Sequence, residues 1–243
     1  MRILLLSDIH GNLPALERIL QQRLSWDTIW NLGDTVGYGP WPNECIDLVR
    51  SYPDSVHLAG NHDLAATGQT STESFNAMAA AAADWTSQQL TDDSATWLKS
   101  LGSIGTEGDV TLAHGSPRYP AFEYIITAPQ AAQMFSYFPT RHCFVGHTHR
   151  PMIVVEGISM PAEALFAPTP GQGFDLAPAR ALLNPGSVGQ PRDGDPRAAF
   201  ALYDTDSQQV VFHRVEYPVA VTQQAINAAG LPRQLAERLP LGR

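Results

Sequence analysis

Residues 142–151 read HCFVGHTHRP, an apolar run closed by a glycine and followed by two histidines one residue apart. Three apolar residues, Cys143 to Val145, ended by glycine are the signature of a buried strand running into a turn. The chain has only eight histidines, so two of them at the mouth of one strand call for a chemical reason. The pattern repeats along the chain. ILLL (3–6) runs into SDIHGN, DTIWNL (27–32) into GDTVGYG, SVHLA (55–59) into GNHD, DVTLA (109–113) into HGSP, and RALL (180–183) into NPGSVG. Further strands are expected at MIVV (152–155), AAFALY (198–203) and VVFHRV (210–215).

Between the first two strands Leu13, Leu16, Leu20 and Leu24 recur at spacings of three and four, the stripe of a helix packed on a sheet, with Asn12 placed to cap it. A helical region follows His62, with Phe75, Met78, Ala82 and Trp85 on one stripe and a second start at Thr91. Strands alternating with helices define an α/β chain. Beyond residue 150 strands prevail, giving a mostly antiparallel second half with one long loop from Pro161 to Pro178. The organisation expected is one domain over 1–243, with a helical cap-like insertion around 64–108 and a tail of two short helices over 219–243.

Composition narrows the function. With 243 residues, 44% of them apolar, the chain can bury a full core. The opening MRILLLSD meets an acid at position 8, so neither a secretory signal nor a membrane span is expected there. Cys45 and Cys143 lie far apart without a CxxC spacing, which argues against a disulfide framework and for a reducing cytoplasm. A net charge of −9, from 24 acidic and 15 basic residues, disfavours nucleic acid as a partner. A small phosphorylated substrate fits such a chain once metal ions supply the positive field, and association with a second copy of the chain stays open.

In an open α/β sheet ligands bind at the carboxyl ends of the strands, so the polar strand ends should meet on one face. Two aspartates, an asparagine and five histidines there suit borderline divalent ions, and the lack of thiolate argues against a structural zinc cage. So many candidate ligands exceed one tetrahedral ion and suit two ions that share a carboxylate. The spacing of two between His147 and His149 is read as strand-like, aiming both rings to one side with Thr148 pointing away. His57, His142 and His213 fall in or beside strands and need no role.

The series D-x-H, GD, GNHD, a single H and GH-x-H resembles the calcineurin-like metallophosphoesterase superfamily from Met1 to about Tyr203. The stretches GDTVGYGPWPNE, HGSPRYP and NPGSVGQPRDGDPR are most similar to its small bacterial and archaeal phosphoesterases. That resemblance implies a four-layer α-β-β-α sandwich with two mixed central sheets. It implies that Asp8, His10 and His149 hold one ion and Asn61, His114 and His147 the other, with Asp34 bridging. Two divalent ions follow, manganese first, with Fe, Zn, Ni or Co as alternatives. It also implies hydrolysis of a phosphoric ester by a metal-bridging hydroxide, with the non-ligating His62 stabilising the transition state or protonating the leaving oxygen.

Phosphoprotein phosphatases of this superfamily carry an aspartate three residues after the bridging one to orient that histidine, and Gly37 stands here instead. A diester or nucleotide substrate therefore leads, ahead of phosphomonoesterase or protein phosphatase activity. A non-catalytic metal-binding scaffold, as in the retromer subunit of this fold, is the second class; it predicts lost ligands, and none is lost. Arg150, Tyr38 and Arg192 are the expected substrate contacts, Arg118 is expected on the surface, and Asn184 and Ser187 are expected to shape a turn. Asp63 is read on an extended loop, facing away from His62.

Overall fold

β1 (Arg2–Leu6) buries Ile3 and Leu5 on one face and Leu4 and Leu6 on the other, all fully. A strand buried on both faces belongs inside a layered stack. The computed structural model describes residues 1–158 and 167–243 and has that architecture. In the first half, β1 is followed by α1 (Leu13–Leu20), β2 (Thr28–Asn31), α2 (Pro42–Arg50) and β3 (Val56–His57). Three helices come next, α3 (Asn61–Ala66), α4 (Ala77–Gln89) and α5 (Asp92–Ser100). Then follow β4 (Ile104–Glu107), β5 (Val110–Ala113), α6 (Ala128–Met134), β6 (His142–Phe144) and β7 (Met152–Val155). The chain closes with β8 (Gly173–Asp175), β9 (Ala181–Asn184), β10 (Ala198–Asp204), β11 (Gln209–Val215), α7 (Val219–Ala228) and α8 (Arg233–Arg238).

The strands form two mixed sheets, one ordered β3-β2-β1-β10-β11-β8 and the other β4-β5-β6-β9-β7. Their inner faces meet in one core built on Leu5, Trp30, Leu112, Phe144, Leu183, Tyr203 and Phe212. The outer face of the first sheet, Leu4, Leu6, Ile29 and Phe200, packs on Leu16, Ile19, Cys45 and Val49 of α1 and α2. The outer face of the second, Cys143, Met152, Val154 and Leu182, packs on Ala131 and Met134 of α6. The four-layer α-β-β-α sandwich expected from the sequence is therefore the observed fold. Among the described residues no helix is long and apolar enough to cross a membrane.

Three helices carry the caps their sequences announce. Asn76 accepts the N–H groups of Met78 and Ala79 at the start of α4, Thr91 accepts that of Ser94 in α5, and Thr127 with Gln130 forms a capping box on α6. Asn12 does not cap α1. Its Nδ2 donates to the Gly189 carbonyl at 2.8 Å and to Tyr217 Oη, and its Oδ1 accepts from Thr222 Oγ1 at 2.9 Å, so tertiary partners outcompete the local turn. The second half mixes directions. β10 and β11 are antiparallel to their neighbours, whereas β9 runs parallel to β6. Part of the 161–178 loop forms β8 on the edge of the first sheet, and residues 161–166 lie outside the described residues.

β1, β2 and β3 run parallel, as do β5, β6 and β9. All six polar strand ends therefore leave the carboxyl edge of the two sheets and meet there.

Candidate metal centre

Each motif loop is fastened to the next by backbone. Asp8 N–H donates to the Gly33 carbonyl and His10 N–H to Asp34, both at 2.9 Å, and Gly146 N–H donates to His114 at 2.7 Å. Gly146 allows the two sheets to close at this point: a Cβ there would lie 1.9 Å from Ser7 Oγ. The result is two buried clusters, Asp8, His10, Asp34 and His149 in one, and Asp34, His114 and His147 in the other, each with ligand atoms within 4.8 Å of one another. Asp34 belongs to both. Asn61 joins the second through Oδ1, 3.3 Å from His114 Nε2.

The loops reach this arrangement through an unusual backbone. Asp8, His10, Asp34, Tyr38, His147 and His149 all have φ between 51° and 65°, the left-handed region that costs an L-residue of order 1–2 kcal/mol. Asp and His tolerate it better than most residues. For His147 and His149 this corrects the strand-like reading. Two left-handed residues wind the loop, so the rings reach different clusters, and Thr148 between them is bonded by Asn184 Nδ2 at 3.1 Å.

Backbone carbonyls fix which ring nitrogen faces inward. The Nδ1 atoms of His10, His114 and His149 lie 3.1, 2.9 and 2.5 Å from the carbonyls of Val36, Leu32 and Gln190. A proton on each Nδ1 leaves the Nε2 lone pair for the centre. His147 is reversed: its Nε2 lies 3.3 Å from the Phe122 carbonyl, which leaves Nδ1. Inside the centre, His10 Nε2 and His149 Nε2 sit 3.0 Å apart, and Asp8 Oδ1 and Asp34 Oδ2 are buried with no hydrogen-bond partner.

The electrostatics agree with that geometry at His10 and His147, whereas His114, held protonated by Asp34, must shed a proton before its Nε2 can ligate. Burial keeps His10 well below its ordinary pKa and takes His147 down to about 3, so both stay neutral, the form that ligates metal. Burial also pulls on His114, but the Asp34 carboxylate 3.3 Å away outweighs it and raises the ring to about 9. Burial pushes Asp34 up, and the His114 and His62 rings more than offset this, holding it well below the carboxylate range. Convergent lone pairs and orphaned carboxylate oxygens fit a divalent cation, which satisfies both at once.

His62 opens α3, which corrects the extended-loop reading of GNHD. Asp63, in the first turn, accepts the N–H groups of Gly60, Thr35 and Val36 and so ties α3 to the Asp34 loop. The His62 ring lies against Tyr38, His10 and Phe75, with centroids 4.4, 4.9 and 5.0 Å away. Its Nδ1 is buried without a partner. At Gly37, with φ +90°, a Cβ would stand 2.7 Å from that Nδ1, so glycine leaves the space the ring occupies and an aromatic box holds it in place of a carboxylate.

A cleft of about 280 Å³ opens over His62, Asn61 and His147, walled by Tyr38, Phe75, Phe122 and Tyr124. Tyr124 stacks on His147 at 3.8 Å. Sequence reasoning found Tyr38 and set Phe75 on the stripe of the helical insertion, but missed Phe122 and Tyr124, whose only signal is the density of aromatics between Tyr119 and Tyr124 after HGSP. Arg192 reaches Tyr38 Oη at 3.4 Å. Arg150 points outward at an exposed position, and Arg118 is spent on Glu123. Asn184 and Ser187 brace the loops through the Gly146 and Asp8 carbonyls. His57, His142 and His213 lie on β3, β6 and β11, away from the clusters.

A sandwich whose strand ends gather buried aspartate and histidine with their ligand atoms within 4.8 Å of one another has the make-up of a metal-binding hydrolase class. The chain belongs to the calcineurin-like phosphoesterases, whose family model matches residues 1–151, and is a hydrolase acting on phosphoester bonds. Over 247 residues it is 34% identical to MJ0912, an uncharacterised protein of Methanocaldococcus jannaschii, with 99% of this chain and 98% of that one covered. A solved metallophosphoesterase from Sphaerobacter thermophilus is 47% identical, covers 100% of this chain and 99% of its own, and superposes with a TM-score of 0.92. A shorter stretch, 43% identical over 68 residues, links 26% of this chain to 24% of a symmetrical bis(5'-nucleosyl)-tetraphosphatase of Cronobacter sakazakii.

Proposed function

We propose that this chain hydrolyses a phosphoric ester with two divalent cations, manganese foremost, one held by Asp8, His10 and His149 and the other by Asn61, His114 and His147. Asp34 serves both. The observation that carries the reading is the sharing of Asp34 between two buried ligand clusters, with Asp34 Oδ2 and Asp8 Oδ1 left without a hydrogen bond inside them. Two such cations held by these residues would supply Lewis-acid polarisation of a phosphoryl oxygen and an acidified water for attack at phosphorus.

The chain's own groups do the rest. His62 faces the cleft beside His10 and acts on the leaving oxygen, with Gly37 giving its ring room and Tyr38 and Phe75 fixing its plane. The aromatic walls favour a substrate with a flat leaving group, and Asp63, turned to backbone, leaves His62 without the carboxylate of a protein phosphatase. A small nucleotide ester or anhydride is the substrate class, which the match to a nucleosyl tetraphosphatase supports.

The test is Mn²⁺-dependent hydrolysis of bis(p-nitrophenyl) phosphate and of p-nitrophenyl phosphate by wild type, Asp34→Asn and His62→Ala. The diester should be the better substrate, and either substitution should lower kcat by about 100-fold or more. Wild-type turnover by His62→Ala, or hydrolysis indifferent to metal, would overturn the proposal.

A further inference from the structure

Of the ten large hydrophobic side chains exposed among the described residues, four fall in one short segment: Tyr119, Phe122, Tyr124 and Ile126. Apolar surface gathered so densely marks a binding surface. Phe122 and Tyr124 line the cleft over His62, Asn61 and His147, and share it with Ser74, Phe75 and Asn76.

Polar contacts, not packing of its rings, fix the shape of this segment. Gly115 N–H donates to the Pro120 carbonyl at 2.5 Å and Glu123 N–H to that of Tyr119 at 3.3 Å, while the Glu123 carboxylate takes Ser116 Oγ and Arg118. Two of the rings are already covered. The Arg118 guanidinium lies 5.8 Å from the Tyr119 centroid, and His147 stacks on Tyr124 at 3.8 Å. Phe122 is 47% exposed, and among the described residues no ring stacks on it and no cation lies over it. An uncovered ring held at the mouth of a cleft gains from a flat ligand that removes it from water. Asn76 supplies a polar group to the same space. Its Oδ1 is spent on the N–H groups of Met78 and Ala79, at 3.1 and 3.0 Å, which fixes the amide and leaves Nδ2 as a donor with no acceptor among the described residues.

We propose that Phe122, Tyr124 and Asn76 form a nucleobase subsite, the base stacking on Phe122 and accepting from Asn76 Nδ2, with the phosphate of the same nucleoside at the ion centre. The subsite rests on the phosphoester reading and deepens it by giving the nucleoside of the substrate its place. The cleft, about 280 Å³, stands near the lower bound of small-ligand pockets, roughly 300 Å³, so it takes one nucleoside and leaves the rest of a larger substrate outside. Every base has a flat face, so a stacking platform with a single donor chooses little among bases.

The experiment compares AMP with ribose 5-phosphate, which differ by the base alone, on wild type, Phe122→Leu and Phe122→Tyr. In the first arm chelator-treated protein is titrated with each by calorimetry. Wild type and Phe122→Tyr should bind AMP about tenfold more tightly than ribose 5-phosphate, and Phe122→Leu less than about threefold more tightly. In the second, both compounds compete with Mn²⁺-dependent hydrolysis of bis(p-nitrophenyl) phosphate, and their inhibition constants should show the same preference and the same loss. An AMP preference that survives Phe122→Leu, equal binding of the two compounds, or no detectable binding of AMP would overturn the subsite. So would self-association that Phe122→Leu abolishes while AMP goes unpreferred, which would assign the exposed rings to a second copy of the chain. Wild type that leaves bis(p-nitrophenyl) phosphate uncleaved would strike the phosphoester reading instead, with the calorimetry still deciding the subsite.

Discussion

Gly37→Ala isolates the position of the His62 ring from the metal ligands. The added Cβ would stand 2.7 Å from Nδ1 and 3.0 Å from both Cβ and Cγ of His62, so it meets the root of the side chain, which cannot swing clear. The alanine must also hold φ near +90°. Left-handed strain of this kind costs roughly 1–3 kcal/mol, which for a chain of this length is a fall in Tm of about 3–9 °C. Relief of the contact needs the ring to move by several tenths of an ångström, and misplacement approaching 1 Å of a group at the reacting centre costs about 100-fold. None of the seven proposed ligands lies within the closest contacts of the new Cβ. The expected outcome is a protein that binds the wild-type complement of Mn²⁺, melts a few degrees lower and turns over bis(p-nitrophenyl) phosphate 10- to 100-fold more slowly, about. Undiminished kcat would refute the claim that Gly37 and the aromatic box set the ring's position. Loss of metal would show that the substitution reaches the ligands.

Further outcomes follow from residues outside the reaction. Burial takes His142 down to about 4, so its neutral form stabilises the fold fully above the unfolded value of about 6.5 and that stability is lost as pH falls toward 4. Denaturant titrations at pH 7, 6 and 5 should show His142→Phe gaining on wild type by up to about 1.4 kcal/mol per pH unit, and parallel curves would count against this. Phe144 is fully buried between Trp30 and Tyr203, and Phe144→Ala should cost about 3–5 kcal/mol in the same assay; a loss below 1 kcal/mol, roughly, would mean the core collapses around the gap. Glu123 binds Ser116 Oγ at 2.5 Å and Arg118 Nε at 3.2 Å, folding the loop that presents the Phe122 carbonyl to His147. Glu123→Ala should therefore weaken one of the two proposed ions about 10- to 100-fold, read as a faster phase of metal loss to a chelator; uniform release of both would contradict it.

That these aspartates and histidines would gather at one place was legible because their chemistry is carried by residue type and by place at the end of an apolar run. GHTH, GNHD and SDIH are read without knowing any angle. The loops' conformation was not legible. Left-handed φ at His147 and His149 is imposed by contacts between loops distant in sequence, such as Gly146 against Ser7 and Arg192 N–H on the His149 carbonyl. Asn12 failed as a cap for the same reason, since Gly189, Tyr217 and Thr222 lie more than 170 residues away. Phe75, Phe122 and Tyr124 sit outside any motif, and only the packing of the α3–α4 and 115–124 segments brings them to one cleft.

The central claim is that two divalent ions share Asp34. Mn²⁺ titration followed by electron paramagnetic resonance tests it, because two ions joined by one carboxylate give a spin-coupled signal that isolated ions do not. Wild type should bind two Mn²⁺ per chain with a coupled spectrum, and Asp34→Asn should lose both the coupling and tight binding. One Mn²⁺ per chain at saturation, or a coupled pair that survives Asp34→Asn, would contradict the account.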